Sequence, residues 1–276
     1  MKTTKNWRRT SGRKTMLLAG MAVNAMLVAV LAFGLVLTGC PTDADDVKEE
    51  ARTDPVLGET FEIKGTIYGE LWSDSGVSYT PLTNVTTVTV SGPFSTAPTA
   101  TVTGGSNFSV TIPTAVSYQL QTATKELLRM QFDLSNSEKI TTLQPADAKF
   151  GRLELSATAP GYSTYFRLGI ASGSGTEENY TESSTRYSYV YVDKDVTIKG
   201  SDRIQGEPVE NGVTYAYDDS ITVDLSLKAG WNVVERSNSD SGKKISATRE
   251  ESKGTTTYSV KGVRESAKWS LYPREN

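Results

Sequence analysis

Ile221-Thr222-Val223-Asp224-Leu225-Ser226-Leu227-Lys228 alternates apolar and polar side chains residue by residue. A helix would spread such a pattern around its circumference. A strand sends successive side chains to opposite faces, so this stretch reads as β-structure with one buried face. Working outward, the same period recurs. Phe61, Ile63 and Gly65 alternate with Glu62, Lys64 and Thr66; Val88 and Val90 alternate with Thr87 and Thr89; Phe108, Val110 and Ile112 alternate with Ser109 and Thr111. Residues 152–159, 164–171, 185–192, 231–235, 256–263 and 268–272 are further strand candidates, rich in the valine, threonine and tyrosine that suit a pleated surface. Turn-type clusters punctuate them at 73–76, Gly104-Gly105, Asn211-Gly212, Ala229-Gly230 and 239–242. Only residues 123–134 and 145–150 read as short helices. The expected fold is therefore all-β: an N-terminal β-sandwich module over residues 61–117, then a larger antiparallel β domain over 118–276.

The chain upstream of 61 has another character. Residues 1–15 carry Lys2, Lys5, Arg8, Arg9, Arg13 and Lys14 with no acidic residue, and residues 16–37 are apolar except for Asn24. This is the layout of an export signal. As a helix, those 22 residues would span about 33 Å, so an uncleaved membrane anchor is the alternative. Arg8-Arg9 lacks the hydrophobic residue that twin-arginine export places just after the pair. Leu37-Thr38-Gly39-Cys40 contains the single cysteine of the chain and closes the apolar run. It resembles the lipobox of bacterial lipoproteins. That resemblance implies a signal peptide over 1–39, acylation of Cys40, and attachment to a bacterial membrane through its acyl chains, with the protein facing the periplasm or the cell surface. Several chains on one sulfur hold far more firmly than one, because each buried methylene contributes about 0.8 kcal/mol. Residues 40–60 are acidic, with Pro41 and Pro55 and few apolar residues, and read as a tether.

Composition narrows the function. Six of the 29 basic residues lie in the leader, so residues 40–276 hold 23 basic against 32 acidic residues, a net charge of −9. This speaks against nucleic acid as a partner, which needs a clustered basic surface. There is no histidine, so Ser-His-Asp and Cys-His nucleophile systems and histidine-ligated metal sites are excluded. A lone cysteine committed to lipid leaves no thiolate ligand and no disulfide. Gly173-Ser174-Gly175 lacks the lysine of a phosphate loop and reads as a surface loop. No catalytic motif and no cofactor site follows from the sequence.

Two further resemblances rest on particular residues. Gly65-Thr66-Ile67, Pro81 to Val85, Val88-Thr89-Val90 and the run from Thr101 to Pro113 resemble the seven-stranded prealbumin-like or carboxypeptidase-regulatory-like sandwich, with Gly105 one residue early and the acidic turn residue missing. Such modules imply a spacer or binding unit. The stretches 189–200 and 224–234 are similar to uncharacterised surface lipoproteins of spirochaetes, which imply no activity.

Arg186-Tyr187-Ser188-Tyr189-Val190-Tyr191-Val192 is the main candidate site. In a strand the three tyrosines share one face. If the valine face is buried, Tyr187, Tyr189 and Tyr191 stand exposed as a platform for sugar rings or a partner protein; otherwise they pack into a core. Trp72, Trp231 and Trp269 read as packing residues. Asp218-Asp219, Glu177-Glu178 with Glu182, and Glu250-Glu251 raise the two-carboxylate chemistry of glycosidases, but neighbours in a strand point apart, so they read as solvated charges. Asn238 to Gly242 resembles part of a calcium loop without its closing glutamate, and no metal site is assigned. The expected function is a non-catalytic binding or interaction protein of the cell envelope, with a protein or glycan partner. A carbohydrate-active enzyme with two carboxylates and a structural envelope or appendage component are the alternatives.

Overall fold

A computed structural model describes residues 51–274, Asp74 and Glu177 excepted. The leader, Leu37, Thr38, Gly39, Cys40 and the first part of the tether lie outside the described residues. The first elements are β1 (Val56–Gly58), β2 (Phe61–Ser73), β3 (Gly76–Pro81), β4 (Thr87–Ser91), β5 (Thr101–Thr103), β6 (Asn107–Ile112), β7 (Gln121–Thr122) and α1 (Lys125–Gln131). Then come β8 (Ile140–Gln144), β9 (Lys149–Arg152), β10 (Glu154–Thr158), β11 (Arg167–Thr176), β12 (Asn179–Val192) and β13 (Val196–Gly206). The last are β14 (Val209–Glu210), β15 (Val213–Leu227), β16 (Gly230–Ser246), β17 (Arg249–Val260) and β18 (Lys268–Leu271). The fold is all-β, as the alternation requires.

One large sheet runs β5-β6-β2-β18-β11-β12-β16-β17-β15-β13-β8, and β4 pairs with β10 as a separate ribbon. The sheet is mixed rather than antiparallel, because β15 lies parallel to β17 and β18 parallel to β2. Strand β2 serves two neighbourhoods. Its first half pairs with β6, and its second half with β18 and β3. Gly65 sits at this changeover under the indole of Trp269, where an added Cβ would stand 2.7 Å from the ring.

Two hydrophobic cores lie on opposite faces of the same strands. Tyr189, Trp231 and Val233 belong to one, together with Ile67, Val90, Phe108 and Trp269. Val190, Val192 and Val234 belong to the other, with Leu128, Phe132, Ile198 and Leu225. The basal halves of β12 and β16 are thus buried on both sides, the condition under which strands lose simple alternation. Helix α1 helps cover the second face. Thr124 caps it by accepting a hydrogen bond from the Leu127 amide at 3.1 Å, and Leu128 is fully buried beneath it. The second helix expected over 145–150 does not form; residues 149–152 pair with β7 and β12 as β9, which buries Phe150.

Two boundaries expected from the sequence are corrected. Residue 117 is not a domain boundary: β2 pairs with β18, β4 with β10, and one core joins residues from 61–117 to residues from 150–271. Residues 51–274 form one unit. Nor does the tether continue to residue 60. β1 pairs with β16, and Arg52 forms an ion pair with the buried Glu235 at 2.6 Å.

Candidate functional site

Tyr187, Tyr189 and Tyr191 do share a face, but that face is interior, and each is 8% exposed. The exposed platform does not form, because the opposite valine face is buried under a second core as well. Tyr189 packs against Phe61 with ring centroids 5.1 Å apart and stacks on Trp269 at 6.5 Å. Tyr191 meets Trp231 edge-on at 5.4 Å and donates to Glu59. Burial pushes the Tyr189 phenol above its ordinary pKa. Trp231 and Trp269 are core residues, and the Trp231 indole donates to the Pro113 carbonyl at 3.1 Å.

A polar cluster that the sequence did not reveal lies where β2, β12 and β18 meet. The Glu70 carboxylate is fully buried and accepts from Arg186, from Ser270 at 2.6 Å and from the Trp72 indole at 2.9 Å. Burial alone would raise its pKa; the Arg186 guanidinium and the hydroxyl donors outweigh that and hold it below the usual carboxylate range. Outward from Arg186, cation and ring alternate: Tyr272, then Arg167 4.7 Å from the Tyr272 ring, then the exposed Tyr165. Glu70 and Arg186 are 116 positions apart, so no local pattern could pair them. Every group in the buried part is satisfied by another, which makes this cluster a clamp between strands.

The surface that offers itself to solvent is elsewhere. Beyond the two cores, β11, β12, β16, β17, β15 and β13 continue together as an outer sheet. Its outward side chains are mostly exposed on one face and half-buried on the other. On the first face, register sets Ser172, Ser183, Ser239, Thr255 and Ser220 opposite one another across five strands. Thr185, Ser237, Thr257, Thr222 and Ser201 form the next row. Strand spacing places the hydroxyls of a row about 4.8 Å apart and the two rows about 7 Å apart. Ser172 and Ser183 are hydrogen-bonded at 2.7 Å, and Ser220 donates to Thr255 at 3.2 Å.

Towards the free end, this face deepens into a concavity of about 760 Å³. Two rows of side chains line it: Thr181, Ser241, Lys253, Asp218 and Gln205, then Asn179, Lys243, Glu251 and Ala216. Between those rows the chain presents Gly242 and Gly206. On the opposite face Tyr180 lies over Gly242 and Tyr217 over Gly206, so closely that a Cβ at either glycine would collide with the ring. Tyr180 and Tyr217 also belong to the lining of the concavity, between its two rows.

Charge in the concavity is partly cancelled. Arg203 grips Asp218 through two hydrogen bonds of 2.6 and 2.8 Å and holds its carboxyl below the usual range. Arg249 binds Glu251 at 2.8 Å and Glu207 at 3.2 Å. Lys243 and Lys253 stand outside these ion pairs, both exposed, on adjacent strands and diagonal to one another.

The remaining sequence candidates scatter. Asn238 and Asp240 lie inside β16 on one face and Ser239 and Ser241 on the other, so the calcium-like run is a strand and not a loop. Glu178 pairs with Lys244 at 2.7 Å, and Asp218 and Asp219 point apart, as strand geometry demands. The chain matches no family model, no curated protein and no solved structure.

Proposed function

We propose that this chain is a lipid-anchored protein of the bacterial envelope, held by acyl chains on Cys40, whose outer sheet binds a partner. The observation that carries the reading is the outer sheet itself. Ordering each residue costs about 1–2 kcal/mol of backbone entropy, and in most of the protein apolar burial offsets it. Here six strands run past both cores with serine, threonine, asparagine, glycine and charged residues on their faces, and apart from the half-buried Tyr180, Tyr215 and Tyr217 little apolar burial offsets the ordering. A segment built at such cost is best explained by the surface it presents. The basic leader, the apolar run and Leu37-Thr38-Gly39-Cys40 support the location.

The test is co-sedimentation of the full chain, in detergent, with purified envelopes of the producing cell, together with a Ser239→Arg variant that blocks the hydroxyl rows. Saturable co-sedimentation that Ser239→Arg abolishes, while the melting transition is kept, supports the reading. Co-sedimentation indifferent to that substitution overturns it.

A further inference from the structure

We propose that the concavity at the free end of the outer sheet binds an acidic polysaccharide, one carrying carboxylates on a hydroxyl-rich chain; this rests on the binding reading above. Three features of the site point to that chemistry. First, the charges there divide into two kinds. Asp218, Glu251 and Glu207 are held in ion pairs by Arg203 and Arg249. Lys253 faces Asp218 and Lys243 faces Glu251 across the ladder without an ion pair of their own among the described residues, and their ammonium groups are the cations offered to a ligand. They sit diagonally on neighbouring strands, with backbones about 7–8 Å apart, within reach of one polymer. In a chain whose residues 40–276 carry nine more acids than bases, such a pair is a local exception.

Second, the hydrogen-bonding groups are those that sugars use. Asn179 and Gln205 each bring donor and acceptor, Thr181 and Ser241 bring hydroxyls, and the rows through Ser239 and Ser237 extend the hydroxyl surface towards the core. A polyhydroxylated chain can exchange hydrogen bonds with every row it crosses.

Third, the lining lacks what a protein partner would need. Protein interfaces draw most of their energy from aromatic or large apolar anchors at their centre. Among the lining residues Ala216 is the only aliphatic side chain, and the aromatic ones, Tyr180 and Tyr217, lie flat against Gly242 and Gly206 and do not project as anchors.

The experiment is titration calorimetry of the full chain in detergent micelles with hexagalacturonate, maltohexaose and monomeric galacturonate. Hexagalacturonate should bind saturably and more weakly as salt rises. Lys243→Ala/Lys253→Ala should lose about tenfold or more, since each tenfold corresponds to about 1.4 kcal/mol and a charge-assisted hydrogen bond is worth at least that. Both lysines are exposed, so the melting transition should not move. Lack of saturable binding, equal affinity in the double variant, equal affinity for maltohexaose, or monomer binding as tight as the hexamer would each overturn the assignment; the last would indicate a small-anion site. If hexagalacturonate fails while envelope co-sedimentation still responds to Ser239→Arg, the ligand class falls and the binding reading stands. If both fail, both fall.

Discussion

Replacing Arg186 with methionine should be among the most damaging single changes in the molecule, and its damage should depend on pH in a defined direction. Methionine keeps much of the stem that crosses Gly169 and removes the guanidinium, with its charge and its hydrogen bonds to Glu70 and Tyr272. Glu70, with a fully buried side chain, then loses its one ion-pair partner among the described residues but keeps hydrogen bonds from Ser270 and Trp72. Breaking a buried pair by removing one partner costs about 3–5 kcal/mol. The two surviving donors place Arg186→Met near the lower end, about 3 kcal/mol at pH 7. For a domain of this size that is roughly 6–12 °C of melting temperature. In the wild type the Glu70 pKa is depressed, so its contribution is present above the unfolded carboxylate range and is lost as pH falls through the folded value. In Arg186→Met the burial effect is opposed only by the remaining hydrogen-bond donors, and the Glu70 pKa rises above its unfolded value. The penalty should therefore be smallest near pH 4, where the variant can protonate Glu70, and should grow towards pH 7. Glu70→Gln/Arg186→Met should recover part of the loss, because it leaves no buried charge. Urea melts of the three proteins from pH 4 to 7 give the answer. A loss under about 1 kcal/mol, or one that is flat across that range, would refute the account of a charge clamped in the interior.

Other consequences follow from the same geometry. Tyr189→Ala should cost about 3–5 kcal/mol in denaturant melts, as a large aromatic does when removed from a core, whereas an exposed platform residue would cost almost nothing. Gly65→Val should destabilise by about 1–3 kcal/mol through overpacking, because its side chain would enter the Trp269 indole; unchanged stability would mean that the changeover in β2 is looser than described. Residues 61–117 expressed alone should show no cooperative melt, since β4 and the second half of β2 would lack β10 and β18. Cys40→Ala should leave the membrane fraction or accumulate as precursor; fractionation like the wild type would remove the acyl anchor from the proposal.

How far the sequence could be read varies with the length of chain over which the deciding forces act. Alternation at 221–227 and 107–112 marked strands correctly, since one buried face is recorded in every second residue. The run at 123–134 read as a short helix, and α1 forms within it, capped by Thr124. The outer halves of β12, β15, β16 and β17 left no such record. Ser239-Asp240-Ser241-Gly242 has the composition of a turn, yet it lies in mid-strand, because the ladders to β12 and β17 hold it extended. For the candidate site, Lys243, Lys253, Asp218 and Ser241 are unremarkable as sequence neighbours. They share a face because β16 pairs antiparallel with β17 and β15 runs parallel to it, the latter a pairing between segments some 35 positions apart.

The residues by themselves determined an all-β body, the partition of tyrosines and valines to opposite sides of β12, and the histidine-free chemistry, because side-chain type and a two-residue period carry that information. Which side of β12 met solvent was settled only by packing. A second core closed over the valines, and a pattern of one strand cannot say how many layers will lie against it. The joining of residues 61–117 to β10 and β18, the Glu70–Arg186 clamp and the polar concavity were likewise tertiary decisions, since hydrogen bonds and burial act between segments that are neighbours in space and far apart along the chain.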